Sequence, residues 1–89
     1  MQRRKVIIIN KLGLHARAAA KLVQTASTYT SDISVLHNNK KVSGKSIMGI
    51  MMLAASRGTT IEIITAGTDE QEAIAALETL VLERFGENE

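Results

Sequence analysis

The chain has 89 residues, a length that suits one domain near the lower limit for a self-sufficient core. Hydrophobic residues make up 45% of the composition, which argues against a disordered chain, and the net charge of +2 gives only a weak bias toward anionic partners. The absence of cysteine excludes a disulfide framework and a thiolate metal site. We therefore expect one domain over residues 1–89, located in the cytoplasm, with no metal and no cofactor.

Neither a membrane nor a nucleic acid is an expected partner. The apolar run at residues 6–9 is far too short to span a bilayer, and no signal-peptide pattern precedes it. The basic residues 3–5 lie at the entry to a strand, where charges commonly protect a sheet edge. With one tyrosine and one phenylalanine, the chain lacks the stacking aromatics of RNA-binding sheets.

The chain begins with a predicted strand, a helix and a second strand. Residues 3–9 are rich in β-branched side chains and predict a strand. After Gly13, residues 16–27 show apolar side chains at helical spacing and predict a helix. The buried stripe of this helix is expected to consist of Ala16, Ala19, Ala20, Val23 and Ala26. Residues 32–37 alternate in polarity and predict the second strand.

A hairpin, a short helix and a fourth strand are predicted next. Asn38 and Asn39 tolerate the positive φ of a tight turn, so residues 40–43 are expected to form a return strand. Residues 47–55 predict a short helix. Its inward side chains are expected to be Ile47, Ile50, Met51 and Ala54. Residues 60–66 predict a strand, with Ile61 and Ile63 on one face.

The closing helix is predicted from about residue 69 to 84. Residues 68–71 match a capping box. The buried stripe is expected to consist of Ala73, Leu77, Leu80 and Val81, and residues 86–89 are expected to be frayed. The order β-α-β-β-α-β-α predicts an α+β fold of two layers, with an antiparallel four-stranded sheet and helices on one face. Ferredoxin-like domains share most of this order, so topology does not settle function.

The stretch GLHARAAA, residues 13–20, places His15 at the start of the first predicted helix. The first amides of a helix have no intrahelical partners and lie at the positive end of its dipole, so this position favours an anion, above all phosphate. Arg17 adds a fork of donors that fits phosphate oxygens. A neutral imidazole there can attack phosphorus, and the same groups then stabilise the phosphoimidazole.

Other interpretations of His15 stay open on these residues alone. A histidine beside a helix start is commonly a surface residue or a makeshift cap. A metal site has little support, because the only other histidine is His37 and no second ligand stands at helical spacing from His15. A histidine enzyme such as a phosphatase would need further catalytic groups, and none is evident. A ferredoxin-like binding module would need aromatics on its sheet face, and they are missing.

Three stretches carry a resemblance that extends over essentially the whole chain. They are NKLGLHARAAAKLVQTAS (10–27), GKSIMGIMMLAASRG (44–58) and TIEIITAGTDEQEAIAAL (60–77). Together they closely resemble the histidine-containing phosphocarrier (HPr) family of the bacterial phosphoenolpyruvate-dependent sugar phosphotransferase system. The histidine motif and the serine motif occur together at the family's separation.

The resemblance implies both a fold and a function. The fold is an open-faced β-sandwich with three helices on one side of the sheet. The histidine that matches His15 accepts a phosphoryl group on Nδ1 from phosphorylated enzyme I and delivers it to a IIA protein or domain of a sugar transporter. Arg17 matches the arginine that balances the phosphoryl charge. The chain is then expected to be a monomeric carrier and not an independent catalyst.

Ser46 matches a serine that a dedicated ATP-dependent kinase phosphorylates in some bacterial groups, which implies an HPr kinase/phosphorylase and a transcriptional regulator as further partners. As a residue type, Ser46 also suits the N-cap of the second helix. A regulatory, nitrogen-related branch of the phosphotransferase system stays open as an alternative, although Ser46 favours the sugar type. One departure is Ala18, which stands where the family usually has proline.

The helix after Ser46 has more large apolar residues than one buried stripe needs. We expect Ile47 and Met48 to form an apolar docking patch, which the resemblance supports. Met51 fits either this patch or the core. Positive charge at the rim of such a patch steers acidic partners toward it. The expected rim residues are Leu14, Lys21 and Lys45.

Overall fold

The computed structural model describes residues 1–89, with the elements in the predicted order. The strands are β1 (Gln2–Ile7), β2 (Asp32–His37), β3 (Lys40–Ser43) and β4 (Thr60–Ala66). The helices are α1 (Ala16–Ser27), α2 (Ile47–Met52) and α3 (Glu70–Leu82), and a turn over Arg84–Gly86 follows. Three elements end earlier than predicted: β1 at Ile7, α2 at Met52 and α3 at Leu82.

All neighbouring strands of the sheet are antiparallel, in the order β1-β4-β2-β3. The strand β4 therefore lies inside the sheet, between β1 and β2, although it is the last strand in the chain. The hairpin between β2 and β3 turns at Asn38 and Asn39, whose φ angles are 50° and 65°. The predicted asparagine turn is confirmed.

The helices cover one face of the sheet, and the aliphatic core lies between the two layers. Ile61 and Ile63 of β4 are buried in this core, as predicted. The opposite face of the sheet has no helix over it, and one of its rows consists of Lys5, Glu62, Leu36 and Lys41. The α+β class is thus confirmed, with an open four-stranded antiparallel sheet and three helices on one side.

The buried faces of the first two helices differ from the predicted stripes. The buried residues of α1 are Ala18, Ala19, Leu22 and Ala26. The stripe is therefore rotated, and Ala16 is exposed. In α2 only Ile50 is buried, while Ile47 and Met51 are exposed. Ala54 lies beyond the end of the helix with a φ of 51°, so helical spacing no longer places it inward.

The start of α3 is tied to the chain before β2 instead of being capped by a capping box. The N-cap residue is Asp69, so the prediction that Thr68 begins a capping box is wrong. The Asp69 carboxylate accepts hydrogen bonds from the backbone amides of Thr30 and Ser31, at 2.9 Å each, and from both of their hydroxyl groups. The Ser31 hydroxyl, followed by the Thr30 amide, lowers the pKa of Asp69 to about 2.

The last residues of the chain are not frayed, which corrects the prediction. Arg84, Phe85 and Gly86 all have positive φ angles, so the chain reverses direction after α3. Burial of the Phe85 ring offsets the cost of this left-handed backbone. The backbone amide of Lys11 then donates to the carbonyl oxygen of Glu89 at 3.0 Å. The tail therefore lies against the loop that precedes α1.

We expect Asp69→Asn to lower the melting temperature by several degrees at neutral pH, because the charge-assisted hydrogen bonds to residues 30 and 31 are lost. The pKa of Asp69 in the folded protein, about 2, lies below its ordinary value of 3.8. The stabilisation is therefore complete above roughly pH 4 and is lost as the pH falls toward 2. Thermal unfolding across this range should show the difference between the two proteins narrowing in acid.

The matched control is Asp32→Asn, which removes the same charge from an exposed position at the start of β2. It should change the melting temperature little at any pH. An Asp69→Asn effect that stays constant between pH 7 and about pH 2 would contradict the assigned role of these hydrogen bonds.

Candidate functional site

The loop before α1 is fixed by a close approach at Gly13. This residue has a φ of +65°, and a Cβ added to it would lie 2.5 Å from the carbonyl oxygen of Ala55. The amide of Leu14 donates to that same oxygen at 2.9 Å. A side chain at position 13 would break this contact, so the motif requires glycine.

His15 is the N-cap residue of α1, as predicted. Its backbone is extended, its carbonyl accepts from the Ala19 amide at 2.8 Å, and its ring makes no capping hydrogen bond. The amides of Ala16, Arg17 and Ala18 therefore have no intrahelical acceptor. Positive charge is concentrated at this helix end and favours an anion. The His15 side chain is 26% exposed, so an anion can reach it.

Arg17 lies in the exposed first turn of α1. Together with Lys11, Lys21 and Glu87, it lines an open depression at the end of this helix. Glu89 lines it as well, so three basic and two acidic side chains share this depression. The role predicted for Arg17, to balance the charge of a phosphoryl group, stays a prediction.

Glu87 is a site residue that the sequence analysis missed. One of its carboxylate oxygens contacts Nε2 of His15, and the other accepts a hydrogen bond from Nδ2 of Asn10 at 2.9 Å. Partial burial raises the pKa of Glu87, but the hydrogen bonds from Asn10 and His15 and the charge of Arg17 outweigh it and lower the pKa below its usual range. Glu87 is therefore ionised at neutral pH. Nothing in the composition of the tail distinguishes this carboxylate from its neighbours.

Ser46 is the N-cap residue of α2, as its residue type predicted. Its Oγ accepts a hydrogen bond from the amide of Gly49 at 3.0 Å. The side chain is partly exposed, so the hydroxyl that caps α2 lies near the surface of the protein.

The exposed apolar surface beside Ser46 is larger than the sequence indicated. Ile47 and Met48 are 44% and 71% exposed, and Met51 is 40% exposed and so does not belong to the core. Met52, which the sequence analysis did not single out, is 61% exposed. We call these four residues of α2 the methionine patch. Because α2 packs against α1, the methionine patch and His15 lie in the same helical layer.

The three expected rim residues differ in their placement. Leu14 is 5% exposed and belongs to the core, so the prediction that it helps form the rim is wrong. The turn at Gly13 directs this side chain inward. Lys21 and Lys45 lie at the surface, and their ammonium groups donate to backbone carbonyl oxygens at 2.6 and 2.8 Å.

No three side chains of the metal-binding types come together in the structure. None of the helices has the length and apolar character that a membrane crossing requires. The fold and the site together define a small α+β protein with a partly exposed histidine at the N-terminal end of a helix.

Comparison with known proteins gives the family. Residues 2–83 match a protein-family model described as "PTS HPr component phosphorylation site". The chain is 55% identical over 89 residues to the phosphocarrier protein HPr of Neisseria meningitidis serogroup A, with complete coverage of both chains. A crystal structure of HPr from Thermoanaerobacter tengcongensis is similar with a TM-score of 0.96 at 50% identity, and all of both chains is covered.

A second crystal structure from that organism is of an HPr dimer, with a TM-score of 0.79 at 52% identity, covering 98% of this chain and 100% of that one. The chain belongs to the HPr family of phosphocarrier proteins of the phosphotransferase system. The family resemblance read from the sequence is confirmed.

We expect Leu14→Ala to lower the free energy of unfolding by about 2–5 kcal/mol, because it removes a core side chain and leaves a cavity. Urea unfolding monitored by circular dichroism measures this change. Leu12→Ala is the matched control, since Leu12 is 65% exposed and its loss should change stability by less than about 0.5 kcal/mol. Equal costs for the two variants would contradict the buried position of Leu14.

Proposed function

We propose that His15 accepts a phosphoryl group on Nδ1 from phosphorylated enzyme I and passes it to IIA proteins or domains of sugar transporters. The observation that carries this proposal is the position of His15 as a partly exposed N-cap residue whose ring leaves the first amides of α1 free. Family membership supports the role of a phosphocarrier.

The transfer uses groups that α1 already presents. The Nδ1 lone pair forms the bond to phosphorus, and the bond between phosphorus and the donor breaks, with its electron pair leaving on the donor atom. The amides of Ala16, Arg17 and Ala18 lie at the helix end where the phosphoryl charge arrives, and the Arg17 guanidinium is the proposed donor to the phosphoryl oxygens. Each transfer is reversible as long as these groups stabilise the phosphoryl group only moderately.

Ala18 bears on how tightly the phosphoryl group is held. Alanine at this position has a backbone N–H, which the family's usual proline lacks. The Ala18 side chain is fully buried in the core, so its methyl group also serves packing. The additional N–H of Ala18 increases the partial positive charge at the N-terminal end of α1, and this charge favours the phosphorylated form.

The methionine patch is the proposed docking surface for enzyme I and IIA partners, with Lys21 and Lys45 as basic residues at its edge. Methionine adapts its shape to different partners, and lysine attracts acidic ones. A carrier has to leave each partner quickly, which suits a small interface of this kind. Lysine and arginine on the edge strands β1 and β3 disfavour pairing between copies, so we propose a monomer.

Ser46 is the proposed site of regulatory phosphorylation by an HPr kinase/phosphorylase, with a transcriptional regulator as a further partner of the phosphorylated form. A phosphate on Ser46 lies favourably at the start of α2 but places strong negative charge beside Ile47 and Met48. Docking is then weakened without a change of fold. We further propose that residues 1–89 act as one domain in the cytoplasm, as a carrier and not as an independent catalyst.

Mixing the protein with phosphoenolpyruvate and enzyme I is expected to add one acid-labile, base-stable phosphoryl group, detected by mass spectrometry. His15→Ala should abolish this label, because the nucleophile is lost, while the circular dichroism spectrum stays unchanged. His37→Ala is the matched control and should retain the label. Retention of the label in His15→Ala would refute the assignment of His15 as the phosphorylated residue. If only the enzyme I of a nitrogen-related system labels the protein, the chain belongs to the regulatory branch of the phosphotransferase system.

We expect Ser46→Asp to weaken binding to enzyme I by about tenfold, or about 1.4 kcal/mol, because it adds a charge beside the methionine patch. Aspartate is a good N-cap residue, so α2 should remain intact. Isothermal titration measures the affinity.

Ser46→Ala provides the opposite control. It removes the hydrogen bond to Gly49 and should cost about 1 kcal/mol of stability while leaving the affinity unchanged. Equal affinities for Ser46→Asp and the wild-type protein would argue against regulation of docking by charge at this position.

A further inference from the structure

We propose that Glu87, held in place by Asn10, is a positioning residue for His15: it accepts the Nε2–H of the ring and so keeps the lone pair of the neutral imidazole on Nδ1. This inference rests on the proposed function, because it explains how Nδ1 is made available as the nucleophile. Residue 87 lies beyond residues 2–83, the part of the chain that the family model matches.

The orientation of Asn10 follows from its partners. Asn10 is fully buried, and its Nδ2 donates to the carbonyl oxygen of Gly13 at 2.8 Å and to the Glu87 carboxylate at 2.9 Å. Both partners can only accept, so the amide group has to present its NH2 to them. Asn10 thereby joins the turn before α1 to the tail after α3.

The orientation of the His15 ring follows in turn from Glu87. The second oxygen of the carboxylate faces Nε2, and the Glu87 side chain is 13% exposed. An ionised carboxylate offers no hydrogen, so Nε2 has to be the donor. When the ring is neutral, its only free lone pair is then on Nδ1.

The tail is built to bring Glu87 to this position. The reversal at Arg84–Gly86 turns the chain back toward α1, and the buried ring of Phe85 anchors it. On the far side of Glu87, the carbonyl oxygen of Glu89 accepts from the Lys11 amide. The carboxylate is therefore fixed from both sides along the chain.

The same contact offsets charge during transfer. As Nδ1 bonds to phosphorus and the electron pair of the breaking bond leaves with the donor atom, Nε2 keeps its proton and the ring becomes positive. The Glu87 carboxylate stabilises this positive ring from the side opposite Nδ1, while Arg17 and the helix amides act on the phosphoryl oxygens. When the phosphoryl group leaves, the ring returns to the same tautomer.

Two-bond 1H–15N correlation spectra of the ring at about pH 9, where free imidazoles are neutral, report which nitrogen carries the proton. The wild-type protein should show the Nε2–H tautomer. In Glu87→Gln the new amide has to offer its oxygen to Asn10 and its NH2 to Nε2, so the ring should shift toward the Nδ1–H tautomer. Phosphoryl acceptance from enzyme I should then slow by roughly 10- to 100-fold.

Glu89→Gln is the matched control, because Glu89 is 74% exposed and its side chain does not contact His15. It should keep the Nε2–H tautomer and the wild-type rate. Glu87→Ala, which removes both the acceptor and the new donor, should give a mixture of tautomers and an intermediate rate. Backbone amide spectra of each variant establish that the fold is retained.

A wild-type ring in the Nδ1–H form, or a tautomer that does not respond to Glu87→Gln, would overturn the positioning role. The spectra need no phosphoryl donor, so this outcome is separate from a failure of the proposed function. If the wild-type protein accepts no phosphoryl group while the tautomer responds as expected, the geometry is correct and the carrier role is wrong.

Discussion

The fit of Gly13 against Ala55 is the constraint on which the rest of the site depends. A left-handed backbone and the absence of a side chain let the loop press against the segment after α2. This contact sends Leu14 into the core, places His15 at the start of α1, and leaves the carbonyl of Gly13 for Asn10. The free amides of the helix and the carboxylate of Glu87 then lie beside one ring. A small protein with few aromatic residues thus fixes the position of one histidine ring through backbone geometry.

The proposed function assigns chemistry and recognition to different helices. The start of α1 holds the His15 ring against the Glu87 carboxylate, whereas α2 presents an exposed apolar surface that is rich in methionine. This separation suits a carrier, because the reacting geometry has to be the same with every partner while the docking surface has to fit several. Ser46 belongs to the second helix, since its hydroxyl caps α2 and lies beside the methionine patch.

The order of the elements could be predicted from the sequence because apolar periodicity and turn residues are local signals. The asparagine turn and the N-cap position of His15 are of this kind. The burial of Leu14 depends on its contact with Ala55, which lies 41 residues further along the chain. Periodicity within a short stretch of sequence cannot predict such a contact. Met51 is exposed because α2 is short and ends before a second buried turn can form. Glu87 contacts His15 across a separation of 72 positions in the sequence, and Asp69 binds Ser31 across 38 positions. Only the folded chain reveals these partners.

The central place of β4 has a consequence for how the protein is made. Its register pairs Gln2 with Thr65 and Asp32 with Ala66, so the first strand has no partner until most of the chain has left the ribosome. The β2–β3 hairpin can form early, but the edge that later receives β4 stays open during synthesis. Contacts between such distant residues slow folding. The basic side chains at the beginning of the chain, which repel other nascent copies, protect the unpaired first strand during that interval.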